Sequence, residues 1–293
     1  PPLRSEHLAG CLVAGWNDRN IDNPRQLLDE NFFYPYMLTL AERAWRGGGN
    51  CYFDGKGTVL WDDEPEQKKE FAEFENRMLW HKTHTLSSEP FSYERQSDVV
   101  WSITDAFPND GDLARSFPPE LYLHGDLSPV DDPTIFSYKR KTYKSRTFTG
   151  NGFYLRHVWG TLVPGVYANP EENHTAYATR WIYSKKARTA KLSLEFQNYS
   201  RSESDLPPLQ GTWDYKGSRA WINGEEIQPP VWQNTNTERS NELPLRNENA
   251  VSREPIEIHL RQGWNKLVLK LPVGKFSGRE TRLVKWMFSA TVK

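Results

Sequence analysis

The sequence predicts a mainly β protein: a C-terminal β-sandwich over residues 89–293, preceded by a partial (β/α) barrel segment with two helices. Three observations carry that expectation. From about Leu86 onward, apolar and polar residues alternate in short runs, the period of two that half-buried strands require. Proline-rich breaks at Phe117-Pro-Pro, Leu206-Pro-Pro and Gln228-Pro-Pro separate those runs. A strand-then-helix pattern, by contrast, occurs once, at the start of the chain.

That first unit opens with His7-Leu-Ala-Gly-Cys-Leu-Val-Ala-Gly-Trp16, a nearly continuous apolar run bounded by polar residues. Such a run reads as a buried parallel strand. Asn17 to Glu30 reads as a polar loop. Asn31 then caps a helix in which Phe33, Met37, Leu40 and Ala44 share one stripe, and Gly47-Gly-Gly-Asn50 ends it. One βα unit cannot bury both faces of its strand, so residues 1–50 are expected to be the last strand–helix unit of a larger barrel. Residues 51–88 read as a connecting loop and helix. Asp63 and Glu66 form its capping box, Pro65 lies in its first turn, and Phe71, Phe74 and Met78 mark its apolar face as far as about Trp80.

The remaining strands follow from alternation. Leu192, Leu194 and Phe196 form one set; Ile256, Ile258 and Leu260 another; Leu267, Leu269 and Leu271 a third; Val284, Trp286 and Phe288 a fourth. Asn223-Gly224, just after Ala220-Trp221-Ile222, is a hairpin signal because both positions of a tight type I′ turn need positive φ.

Composition narrows the function classes. Lys and Arg number 37 against 38 Asp and Glu, so no charge excess favours a nucleic-acid backbone as partner. No apolar run approaches the roughly 18 residues of a membrane span. The two cysteines, Cys11 and Cys51, exclude a disulfide scaffold and offer no zinc spacing; free thiols are expected. His81 and His84 lack a third ligand. Asn109-Asp-Gly-Asp112 lacks most of a calcium loop and reads as a turn. Asp62-Asp63-Glu64 and Asp131-Asp132 read as solvated cap and turn residues. No metal or organic cofactor is expected. Twelve Trp, 13 Tyr and 14 Phe suit a β-rich core and also suit sugar faces. Trp213, Tyr215 and Trp232 fall in loop-like segments and could form a glycan platform, although core or loop-anchoring roles are the first reading of such large aromatics.

Gly15-Trp16-Asn17-Asp18 sits where an apolar strand runs into a loop, the rim at which α/β barrels hold ligands. Alone, so short a triplet reads first as a core Trp beside a solvated Asp, because motifs of this length match by chance. Ala9 to Asp18, followed by Asn31-Phe-Phe-Tyr-Pro35 and Ala41-Glu42-Arg43-Ala44-Trp45, resembles the end of the catalytic barrel of family 20 glycoside hydrolases, the β-N-acetylhexosaminidases. The family's Trp-x-Glu appears here one methylene shorter, and Tyr36 replaces the Arg that follows its helix proline. By this resemblance Trp16 would line the pocket for the N-acetyl group and Asp18 would bind sugar hydroxyls. Glu42 and Arg43 would form a structural ion pair. The resemblance also implies substrate-assisted hydrolysis of terminal N-acetylhexosamine by a secreted parent protein, extracellular or periplasmic. The family's catalytic Asp-Glu pair is absent, so the barrel that carries it would be this segment's partner, and the segment alone is expected to be inactive.

The C-terminal part has its own resemblance. Ala176 to Ser184, Trp221-Ile-Asn223-Gly224 and Gly263-Trp264-Asn265 are similar to galactose-binding-like jelly rolls appended to glycosidases, with Trp264 expected to tuck under the start of its strand. The alternative function is therefore a non-catalytic carbohydrate-binding or structural accessory module.

Overall fold

The structure is a computed structural model that describes residues 10, 12–14, 23–30, 32–46, 65–124, 127–157, 165–196, 208–229, 231, 255–276 and 284–293. Three helices come first: α1 (Pro24–Glu30), α2 (Phe33–Arg46) and α3 (Pro65–Thr83). Twelve strands follow among the described residues. β1 (Val100–Thr104), β2 (Phe107–Pro108), β3 (Ile135–Tyr138), β4 (Lys141–Thr149), β5 (Gly152–Arg156) and β6 (His174–Ser184) precede β7 (Arg188–Glu195) and β8 (Arg219–Ile222). β9 (Glu225–Glu226), β10 (Ile256–Leu260), β11 (Gly263–Val273) and β12 (Trp286–Val292) complete the set.

The strands form two antiparallel sheets. The larger runs β3-β4-β1-β6-β11-β8-β9, with β2 added to β6; the smaller runs β10-β7-β12-β5. Both contribute to one core. Trp101, Ile103, Leu267, Leu269 and Leu271 of the large sheet share it with Leu155, Leu192, Leu194 and Phe288 of the small one. The Trp101 and Phe288 rings meet at 5.0 Å, and the Trp286 indole donates to the Leu271 carbonyl at 3.0 Å across the two layers. The core Leu spacing is the alternation expected of β11, and β7, β10 and β12 likewise lie over the runs read from sequence. Asn223 (φ 52°) and Gly224 (φ 87°) form the β8–β9 turn with the positive angles the hairpin requires.

The helical end departs from expectation. Gly10, Leu12, Val13 and Ala14 are in no strand, and Leu12 is 88% exposed. A lone parallel strand satisfies none of its backbone groups, and no described strand pairs with this run. The stretch read as a loop contains α1, opened by Pro24 at a position where its missing N–H is harmless. Asp63, Cys11, Cys51 and the Gly47–Asn50 stop lie outside the described residues.

Helices α2 and α3 pack through Tyr34 and Leu38 against Phe71, Phe74, Met78 and Phe91. The stripe Phe33, Met37, Leu40 and Ala44 is largely outward: Phe33 and Met37 are each 40% exposed, Ala44 is exposed and Leu40 is half-buried. Glu42 pairs with Arg77 of α3 at 2.6 Å and with Arg46 at 3.5 Å. A buried carboxylate, Glu75, joins α3 to the β body. It accepts from the Tyr93 hydroxyl (2.6 Å), the Gln96 amide (2.7 Å) and the Ser97 amide (3.3 Å), with Arg95 at 3.5 Å.

Candidate functional site

The outer face of the large sheet holds the densest chemistry among the described residues. Leu267, Leu269 and Leu271 of β11 point into the core, so Trp264, Lys266, Val268 and Lys270 point the other way. Register sets Trp264 opposite Tyr183, Lys266 opposite Trp181 and Lys270 opposite Tyr177. Alternation alone would leave these lysines in water. Instead a 3-10 helix (Pro118–Tyr122) and residues 127–138 cover them, beside a cluster in which Phe107, Phe117, Phe136 and Tyr143 join Tyr177, Trp221 and Val268.

Each covered lysine has a counterion on the covering segment. Lys266 is ion-paired with Asp132 and donates to the Tyr122 carbonyl at 2.6 Å. The other oxygen of Asp132 accepts from the Trp181 indole at 3.0 Å. Lys270 meets Glu120 at 2.9 Å and donates to the Ala114 carbonyl at 3.0 Å, while the Tyr177 hydroxyl also donates to Glu120. Burial first, and then the Glu120 charge, push the Tyr177 phenol well above its ordinary pKa. Every polar end here is spoken for, so the cluster clamps the cover to the sheet. Asp132, read from sequence as a solvated turn residue, is one of its anchors, with a side chain 12% exposed.

Beyond the cover the same face is open. Tyr183 is 58% and Trp264 44% exposed, their rings 5.2 Å apart and inclined at 68°. Trp264 was expected to tuck inward; parity opposite Leu267 sends it outward, and the same parity argument could have found Tyr183. The turn before β11 is held from inside by Asn265. Its amide oxygen accepts from the Arg261 N–H (2.8 Å) and from Asn223 (2.8 Å), and its nitrogen donates to the Arg261 and Gly263 carbonyls (2.9 and 3.1 Å).

Of the residues expected to bind sugar, Trp16, Asp18 and Trp232 lie outside the described residues. Trp213 does not form a platform: it is 6% exposed, sits in the main core and meets Phe196 edge-on at 5.4 Å. Tyr215 is 46% exposed, so only this member of the proposed trio presents a ring to solvent among the described residues. Next to it lies a buried cation that sequence did not signal. The Lys216 ammonium donates to the Lys285 carbonyl at 2.7 Å, and burial pushes its pKa down to about 8 against the opposing pull of Asp214.

The metal motifs resolve as other chemistry. Asp110 pairs with Arg115 and, at 3.3 Å, with Lys139. Asn109 is buried and donates to Thr175 at 3.1 Å. His84 stacks on Trp80 at 4.5 Å. Among the described residues no group of three metal-ligating side chains gathers, and no helix is long and apolar enough to cross a membrane.

No known family profile and no curated relative matches the chain. Among solved structures it is similar to a β-glucosidase from Kluyveromyces marxianus in complex with glucose: 11% identity and a TM-score of 0.30, over 69% of this chain and 19% of that one. The selenomethionine-labelled β-glucosidase from the same yeast gives 13% and 0.31, over 67% and 17%. This chain therefore spans less than a fifth of either structure. Overlaps of that quality carry no argument about fold or function.

Proposed function

We propose that the chain is the C-terminal part of a β-N-acetylhexosaminidase-like glycosidase, acting on terminal N-acetylhexosamine of glycans. Trp16 and Asp18 contribute to the sugar pocket, and the catalytic carboxylates lie on the barrel strands of the same secreted protein. The observation that carries this reading is the ordered pair of motifs, Trp16-Asn17-Asp18 and then Ala41-Glu42-Arg43-Ala44-Trp45, with the second on a helix that ends at Arg46. The exposed α2 stripe supports it. Phe33, Tyr36 (51% exposed) and Met37 form an apolar face of the kind that a neighbouring barrel unit buries. We read the two-sheet body as the galactose-binding-like jelly roll appended to such barrels; its Asn223-Gly224 turn and the Asn265 staple support that assignment.

The test is made on the parent protein with a chromogenic N-acetyl-β-glucosaminide. Trp16→Ala and Asp18→Ala should each lower kcat/KM by roughly 10²-fold or more, through lost positioning of the acetamido group and the hydroxyls. The segment alone should release no product. An upstream sequence without a strand ending in adjacent Asp and Glu would end the hexosaminidase reading, as would full activity in both variants.

A further inference from the structure

We propose that the open end of the large sheet, carrying Tyr183 and Trp264, is a binding site for an anionic glycan chain, one bearing sulfate or carboxylate groups. Two turns run from one sheet to the other beside this pair. Residues 185–187 link β6 to β7, and residues 261–262 link β10 to β11. They lie side by side because Gly263 pairs with Ser184 and Leu260 pairs with Arg188. Lys185, Lys186 and Arg261 on these turns are exposed, and neither 183–188 nor 261–266 contains an acidic residue. The aromatic pair is therefore bordered by positive charge in a chain whose formal net charge is −1.

The chemistry of the site selects among ligands. Neutral sugars held on an aromatic ring need protein carboxylates or amides to accept from their hydroxyls. Asp132 of the covering segment already spends one oxygen on Lys266 and the other on Trp181. The exposed Lys185 and Lys186 ammoniums match a ligand that brings its own anionic acceptors. Nucleic-acid bases stack on parallel platforms, whereas these rings stand at 68° to each other, an arrangement suited to the uneven C–H face of a pyranose. Two half-exposed rings also fall well short of the roughly 800 Å² per partner of a stable protein interface. The site is prepared in advance: Asp132 holds the Trp181 indole two residues along β6 from Tyr183, and Asn265 fixes the 261–263 turn through three hydrogen bonds and ties it to Asn223 through a fourth.

This site does not depend on the hexosaminidase reading, and its test reads binding rather than turnover. Calorimetry on the full chain would compare a chondroitin sulfate oligosaccharide, a neutral chito-oligosaccharide of equal length and a single-stranded oligonucleotide. Binding to the sulfated chain should weaken by about tenfold in Trp264→Ala and again in a Lys185→Glu/Lys186→Glu double variant, and should decline as salt rises. All these positions are exposed, and unchanged melting curves would establish that the variants are folded. The proposal is overturned if the sulfated chain does not bind, or if Trp264→Ala leaves its affinity unchanged. It is equally overturned if the neutral sugar or the oligonucleotide binds as tightly.

Discussion

Replacing Lys216 with Met should make the protein more stable at neutral pH and erase a pH dependence that the wild type carries. Burial lowers the Lys216 ammonium from 10.5 to about 8. That separation corresponds to about 3 kcal/mol of strain between the charged group and its surroundings. Between the two values the unfolded chain holds a proton that the folded chain does not, so stability rises with pH across that window. Below pH 8 both states are protonated and the full penalty applies. Integrating over the window leaves a penalty of about 3 kcal/mol at pH 7 and about 1 kcal/mol at pH 9.5. Met fills much the same volume without the charge, but leaves the Lys285 carbonyl short of a donor, which costs about 1 kcal/mol. The variant should therefore gain about 2 kcal/mol at pH 7, and almost nothing at pH 9.5. Urea unfolding of both proteins at several pH values reads this directly. A stability difference that stays constant between pH 7 and 9.5 would refute the reasoning, whatever its sign.

Three further outcomes follow from the packing. Glu75→Ala removes the acceptor shared by Tyr93, Gln96 and Ser97 and should lower stability by about 3–5 kcal/mol, seen as a large fall in Tm; a loss below about 1 kcal/mol would contradict its role as the helix-to-sheet tie. Asp132→Ala strands Lys266, which is 3% exposed, and should cost about 3–5 kcal/mol; Lys266→Met in the same chain should restore most of it, and a double-mutant cycle by denaturant unfolding shows whether it does. Gly224→Ala meets both a left-handed φ of 87° and the His124 ring, 2.4 Å from the new Cβ. It should cost about 1–2 kcal/mol, of which His124→Ala recovers only the steric part; complete recovery in thermal melts would show that the backbone angle carries no strain.

The strands most legible in the sequence were those with one wet and one dry face. Leu192 and Leu194 of β7 alternate with more exposed residues; the leucines of β11 alternate with polar residue types although both of its faces are covered, and the Asn223-Gly224 turn announces its own geometry. The outer face of the large sheet was opaque for a physical reason. Lys266 and Lys270 look like solvent-facing residues until a segment more than a hundred positions earlier folds over them with Asp132 and Glu120. Residue type could not distinguish Trp213, sealed in the core, from Trp264, half open to water. Strand parity could, once the register of β11 was fixed by its leucines. On α2, the stripe Phe33-Met37-Leu40-Ala44 was read with the right period, but period alone does not say whether a partner covers it. The α1 turn was missed because a seven-residue helix has too few positions to display a period.

The small sheet places its last-made strand inside rather than at an edge. β12 lies between β7 and β5, pairing Ser289 with both Glu195 and Gly152. During synthesis, then, β5 and β7 wait unjoined, their inner edges bare, until residue 292 has left the ribosome. The small sheet cannot close from its front end backward; β12 enters last, as the keystone between two strands already made. Force measurements on stalled ribosomes should accordingly find no folding tension for this sheet until β12 clears the exit tunnel. An earlier peak would mean that the remaining strands can close without it.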